Sequence, residues 1–101
     1  MNEICGTGIY AWSDGKRFDG TWLNNKMHGK GHLVWPDGKD YDGEFHEDKR
    51  HGEGIFRWKD GREYQGSWVK GKQHGAGIYR NARGDERKGM WHDGKRTSWL
   101  N

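Results

Sequence analysis

Histidines, lysines and a lone cysteine are the residues of this 101-residue chain whose side chains could hold a metal, an anion or a reacting group. His28, His51 and His74 recur at one interval, and Lys26, Lys49, Lys72 and Lys95 recur at the same one. Imidazole is the commonest metal ligand, a row of ammonium groups attracts phosphate headgroups, and a thiolate is a nucleophile. Equal spacing points elsewhere. A residue that returns once per structural unit is held away from its counterparts by that unit, so the unit must be identified before any chemistry is assigned.

The interval is 23 residues. Glycine pairs stand at Gly6/Gly8, Gly29/Gly31, Gly52/Gly54 and Gly75/Gly77, and the same step links Phe18, Tyr41 and Tyr64. It also links Gly20, Gly43, Gly66 and Gly89, and then Trp22, Phe45, Trp68 and Trp91. No insertion breaks the register, which is the mark of a repeat architecture.

One unit reads from residue 41 to 63. Tyr41–Phe45 alternates large and small residues on one parity with polar residues on the other, the pattern of a half-buried strand. A polar loop is expected from His46 to His51, followed by a second strand over Gly52–Trp58. Asp60-Gly61, like Asp14-Gly15 and Asp37-Gly38, predicts a type I′ hairpin turn. The outcome is an all-β fold: a single-layer twisted antiparallel sheet of tandem β-hairpins, a meander of about eight strands. One domain spans residues 1–101, with units 6–28, 29–51, 52–74 and 75–97.

Residues two apart share a face of the sheet. Phe18, Trp22, Tyr41, Phe45, Tyr64 and Trp68 therefore line one side, joined by Tyr10, Trp12, Leu33, Trp35, Phe56 and Trp58 from the other strand of each hairpin. The central glycines let a ring from a neighbouring strand lie over bare backbone. One face is aromatic and the opposite face polar.

That geometry disposes of most of the chemistry. Successive units lie two strands apart, about 9–10 Å, too far for His28, His51 and His74 to share a metal whose ligands sit about 2.1 Å from it. They are expected to be loop residues bonding backbone carbonyls; a metal shared between two chains through Cys5 or a loop histidine is the minor alternative. The G-x-G pairs precede no helix, so they are no phosphate loop. No nucleophile–base spacing stands outside the repeat. No enzyme activity, cofactor or resident metal is expected.

Composition agrees. Apolar residues make up 30% and charged residues 33%, with mean hydropathy −1.35, yet seven tryptophans, four tyrosines and three phenylalanines concentrate the apolar area. The formal charge of +3 is too balanced for nucleic-acid binding. A single cysteine excludes an internal disulfide framework and fits a reducing compartment. No apolar run reaches the roughly 18 residues of a membrane helix, and Met1–Ile9 lacks a signal-peptide core. The expected location is cytoplasmic.

Tyr-x-Gly-x-Phe/Trp, then Lys-x-His-Gly-x-Gly, then Asp-Gly, on a 23-residue step, resembles the MORN repeat (membrane occupation and recognition nexus) from Gly6 to about Lys95. The resemblance implies a hairpin array with an open groove. It also implies a place in cytoskeletal or ciliary scaffolds, in junctional membrane proteins or as an appendage of a larger enzyme, and association with partner proteins or acidic phospholipids. The fourth unit departs from the pattern, with Asn81 in place of Trp, Arg83 of Asp, Arg87 of Tyr and Thr97 of His, and reads as a degenerate terminal cap. The first has Cys5 in the histidine slot and starts half a repeat in.

The principal expectation is a non-catalytic scaffold whose aromatic groove, formed by the twelve residues named above, receives a helical or extended partner segment. The alternative is a peripheral membrane tether using Lys26, Lys49, Lys72 and Lys95. Unpaired backbone at the two sheet ends, near Gly6–Trp12 and Asp85–Trp91, is expected to support a homodimer.

Overall fold

The computed structural model describes residues 6–100, so the expectations placed on Cys5 lie outside the described residues. Among the described residues nine strands follow one another: β1 (Gly6–Ala11), β2 (Arg17–Leu23), β3 (Lys26–Val34), β4 (Asp40–His46), β5 (Lys49–Arg57), β6 (Glu63–Val69), β7 (Lys72–Arg80), β8 (Glu86–His92) and β9 (Lys95–Trp99). Each pairs antiparallel with its sequence neighbours in one open sheet, with no helix among the described residues. The array measures 51 × 24 × 17 Å. The single-layer all-β architecture is as expected, with one strand more than about eight: β9 folds back on β8 where the fourth unit had been read only as a cap.

Two kinds of turn alternate, and their assignment corrects the sequence reading. At the Asp-Gly sites only the glycine has positive φ, as at Gly15 and Gly38 (both 101°). The Gly15 N–H donates to the Trp12 carbonyl and the Trp12 N–H to the Lys16 carbonyl, which is a type I turn closed by a left-handed residue. The aspartate favours this form because its carboxylate accepts from the backbone N–H two residues on, at 3.0 Å for Asp14 and Lys16. The type I′ turns lie at the other end of each hairpin. Asn24 and Asn25 have φ of 52° and 67°, and Glu47 and Asp48 have 47° and 70°. The polar loop expected from His46 to His51 thus shrinks to Glu47-Asp48, and Lys49–His51 already belong to β5.

The two glycines of each G-x-G pair do different work. Gly52 has φ +96° and sits where the β4–β5 register shifts between Gly43 and Phe45, a bulge that only glycine adopts cheaply. Gly54 lies on a line of glycines crossing the sheet, paired with Gly43 on one side and Gly66 on the other. The Tyr41 ring covers Gly54, the Phe18 ring covers Gly31 and the Tyr64 ring covers Gly77. The ring-over-glycine expectation is therefore met. The Tyr41 hydroxyl donates to the Glu44 carbonyl at 3.0 Å and the Tyr64 hydroxyl to that of Ser67 at 3.1 Å, so the phenol serves backbone at the register shift.

The opposite face is polar and cross-linked by charge. Asp40 accepts from His32 at 2.7 Å and Arg57 at 2.8 Å, and Glu63 lies between Arg57 and Arg80 at 3.9 and 3.8 Å. These pairs tie β3 through β7 together on the side that carries no rings.

Candidate functional site

The aromatic face has a floor and a rim. On the floor, consecutive rings meet edge to face in one unbroken series. Phe18 meets Trp22 and Phe45 at 5.1 Å, and Tyr41 meets Phe45 at 5.1 Å and Trp68 at 5.4 Å. Tyr64 then meets Trp68 at 5.3 Å and Trp91 at 4.7 Å. Each such pair adds about 0.5–1.5 kcal/mol beyond the area it buries. This zipper is why a one-layer sheet has a core at all.

Of the twelve residues expected to form the groove, Phe18, Trp22, Leu33, Tyr41, Phe45, Phe56, Tyr64 and Trp68 are buried in this floor. Tyr10 is 43% exposed, and Trp12, Trp35 and Trp58 are half-buried at the Asp-Gly turns. These four form the rim of the face. A cation stands over each rim tryptophan: Lys16 on Trp12 at 5.2 Å, Lys39 on Trp35 at 5.4 Å and Arg62 on Trp58 at 5.2 Å.

Hollows open along this face. One of about 490 Å³ is lined by Tyr10, Trp12, Lys16, Trp22, Asn25, Met27 and Asp48. Another of about 260 Å³ is lined by Trp58, Arg62, Gln73, Tyr79, Trp91, Arg96 and Trp99. Arg50 stands on the floor between them, its guanidinium 4.7 Å from the centre of Trp68, 5.2 Å from Phe56 and 6.0 Å from Trp35. Arg50 Nη2 donates to the Gly71 carbonyl at 2.9 Å.

Burial sets the electrostatics of the floor. It pushes the Tyr64 phenol up to about 12 and raises Tyr41 further. It lowers the pKa of Arg50, partly offset by the neighbouring Tyr41. At the turns, the backbone N–H groups of Lys39 and Arg62 hold Asp37 and Asp60 below the usual carboxylate value.

The four ladder lysines lie on the other face, where each opens an odd-numbered strand directly after a two-residue turn, and all are exposed. A cleft of about 420 Å³ brings Lys26 and Lys49 together with Lys70, His46, His51 and Glu47. Lys72 and Lys95 are not among its lining residues.

The histidines depart from expectation. His28, His51 and His74 lie within strands rather than loops. His46 stands between His28 and His51, with ring centres 4.9 and 5.6 Å apart, and His74 meets His92 at 4.9 Å. Instead of donating to a carbonyl, His51 accepts the Lys70 N–H through Nδ1 at 3.4 Å. Nδ1 of His74 is buried without a hydrogen-bond partner. Among the described residues no three His, Cys, Asp or Glu side chains converge on a metal position.

Sequence reasoning missed Arg96 and Trp99, and it sets Arg50 beside the ladder lysines, whereas the guanidinium lies over Trp68 on the aromatic floor. Trp99 has no counterpart on the 23-residue step. It reaches the face because Ser98 replaces the bulge glycine of earlier units, so β9 sets Trp99 opposite Gly89, and its ring packs 6.1 Å from Trp91.

A family model described as MORN repeat matches the chain at residues 1–17, 18–39, 41–61 and 64–86. No curated protein matches it.

Proposed function

The chain belongs to the MORN-repeat family, a non-catalytic family whose repeats engage proteins or membrane lipids, and on that premise we propose that it is a protein-interaction scaffold. Its aromatic face holds a segment of a partner protein. The observation that carries this reading is the division of the face. The floor rings are buried against each other, while Trp12, Trp35 and Trp58, one in each of three successive units, are only half-buried. A stable fold needs the floor. A row of half-covered tryptophans beside cations is the composition of a binding hot spot.

A second reading rests on the cleft that gathers Lys26, Lys49 and Lys70. The ion pairs among the described residues include none of these three lysines. An acidic phospholipid headgroup fits that charge, at about 1 kcal/mol per lysine near an anionic surface. On either reading the protein works in the cytoplasm beside cytoskeleton or membrane, and the open ends of the sheet pair two copies.

Salt and mutation separate the readings. Binding through the face survives salt and is lost on Trp35→Ala or Trp58→Ala. Sedimentation with vesicles containing phosphatidylinositol bisphosphate fades between low and physiological salt and is lost on Lys26→Gln with Lys49→Gln. Folded Trp35→Ala and Trp58→Ala proteins that keep full partner binding would refute the scaffold reading.

A further inference from the structure

The cations of the aromatic face fall into two groups. Those of the rim are neutralised within their own turns: Lys16 Nζ lies 3.9 Å from Asp14, Lys39 Nζ 3.3 Å from Asp37, and Arg62 Nε 2.8 Å from Asp60. Arg50, half-buried on the floor, and Arg96, exposed on β9, are not. None of the ion pairs among the described residues involves Arg50 or Arg96. Arg50 faces three rings and one carbonyl oxygen, and Arg96 rests 4.4 Å from the centre of Trp99.

A guanidinium has five N–H donors in a fixed fork. The single carbonyl on Nη2 leaves most of the Arg50 fork without a hydrogen-bond acceptor among the described residues. Aromatic rings stabilise the charge through their faces but accept no such fork, and a half-buried cation without a counter-charge is costly to hold. The chemistry that completes it is a carboxylate, which takes two parallel N–H bonds from a guanidinium.

Resting on the scaffold reading above, we propose that the bound partner segment is acidic and extended, with one carboxylate on Arg50 and a second on Arg96. The two arginines occupy the same slot of the repeat two units apart, on β5 and β9. Four strand spacings separate them, about 19 Å. An extended chain covers that distance in about six residues and returns to the same side at every second residue, so positions i and i+6 face both arginines. The residues at i+2 and i+4 then pass over the hollow beside Gln73, Tyr79 and Trp99 and should be apolar. Nucleic acid fits less well, because the formal charge of +3 is too balanced for a phosphodiester chain.

The test selects binders from a random 16-residue peptide library displayed on phage, using the full chain as bait. The expected peptides carry Asp or Glu at two positions six apart with apolar residues between. Replacing both acids by Asn or Gln weakens binding at least about tenfold. Arg50→Gln weakens the acidic peptides by a similar factor and leaves the amide versions unchanged, and exposed Arg96→Gln does the same for the second acid. Selected peptides that need Trp35 and Trp58 but show no acid preference overturn the acidic segment and leave the scaffold standing. Recovery of no peptide sensitive to Trp35→Ala or Trp58→Ala overturns both. Polyuridylate displacing the peptides through the same arginines at equal strength overturns the carboxylate assignment.

Discussion

The Tyr41 ring occupies the space above Gly54 on the next strand, where an added Cβ would run into it, and a second bond fixes it through the Glu44 carbonyl. Rings pack on the backbone here where that backbone is bare. Gly54→Ala should therefore cost about 2–3 kcal/mol, the penalty for overpacking a filled core. Gly8 provides the control, since a Cβ there meets nothing within 4 Å. Gly8→Ala should change stability by no more than about 0.5 kcal/mol. Urea unfolding of the two variants gives the comparison, and equal midpoints would mean that ring seating does not hold the array together.

Alkaline pH should loosen the fold through the same rings. Burial raises Tyr64 from 10.0 to about 12, so between these values the unfolded chain has lost the phenolic proton that the folded chain keeps. Stability is complete below about pH 10 and falls as pH rises toward 12. Tyr64→Phe removes one share of that slope and leaves that of Tyr41, which burial raises further, while losing about 1 kcal/mol at neutral pH, the hydroxyl's bond to Ser67. Thermal unfolding followed from pH 8 to 12 reads both effects. A wild-type slope no steeper than that of Tyr64→Phe would count against burial as the cause.

The hairpin array and its ring seats were legible because they repeat. Phe18, Tyr41 and Tyr64 return on the step that carries their glycines, and alternation gives the face. The turns were misread because Asp-Gly serves two geometries. The Asp14 carboxylate bonds the Lys16 N–H and draws the turn to type I, which dipeptide composition does not reveal. Glu47-Asp48 carries no turn signature, and register alone places both residues at positive φ. The floor position of Arg50 was hidden for the opposite reason. Its slot holds Met27, Arg50, Gln73 and Arg96 in successive units, so the position that varies, and that meets the partner in our proposal, is the one that periodicity cannot mark. The His28–His46 contact was likewise invisible, since Leu23, His46, Val69 and His92 share the second residue's slot.

Glu47 has φ 47°, a left-handed conformation that costs a residue with a Cβ roughly 1–2 kcal/mol. Asn24 occupies the corresponding turn position one unit earlier at φ 52°, and asparagine tolerates that region far better. Glu47→Asn should stabilise the protein by about 0.5–1 kcal/mol and raise its melting temperature by several degrees. Asp48 should be left in place, because its carboxylate accepts the Met27 N–H at 2.7 Å and so joins two neighbouring turns. An unchanged melting temperature would show that the turn relaxes without cost.

The two ends of the sheet should pair copies of the chain. Among the described residues β1 and β9 each have one neighbour, so one edge of each presents backbone groups to a further strand. β1 is the more inviting, because Ile9 is 69% exposed beside Tyr10 at 43% and the run Gly6–Ala11 carries no charge. β9, by contrast, opens with Lys95 and Arg96, the kind of edge that resists pairing. Static light scattering over a concentration series should show a monomer passing to a dimer, with Ile9→Lys shifting the transition to higher concentration and Thr97→Lys leaving it nearly in place. A mass that stays monomeric throughout rules out pairing at either end, and a dimer indifferent to Ile9→Lys moves the contact away from β1.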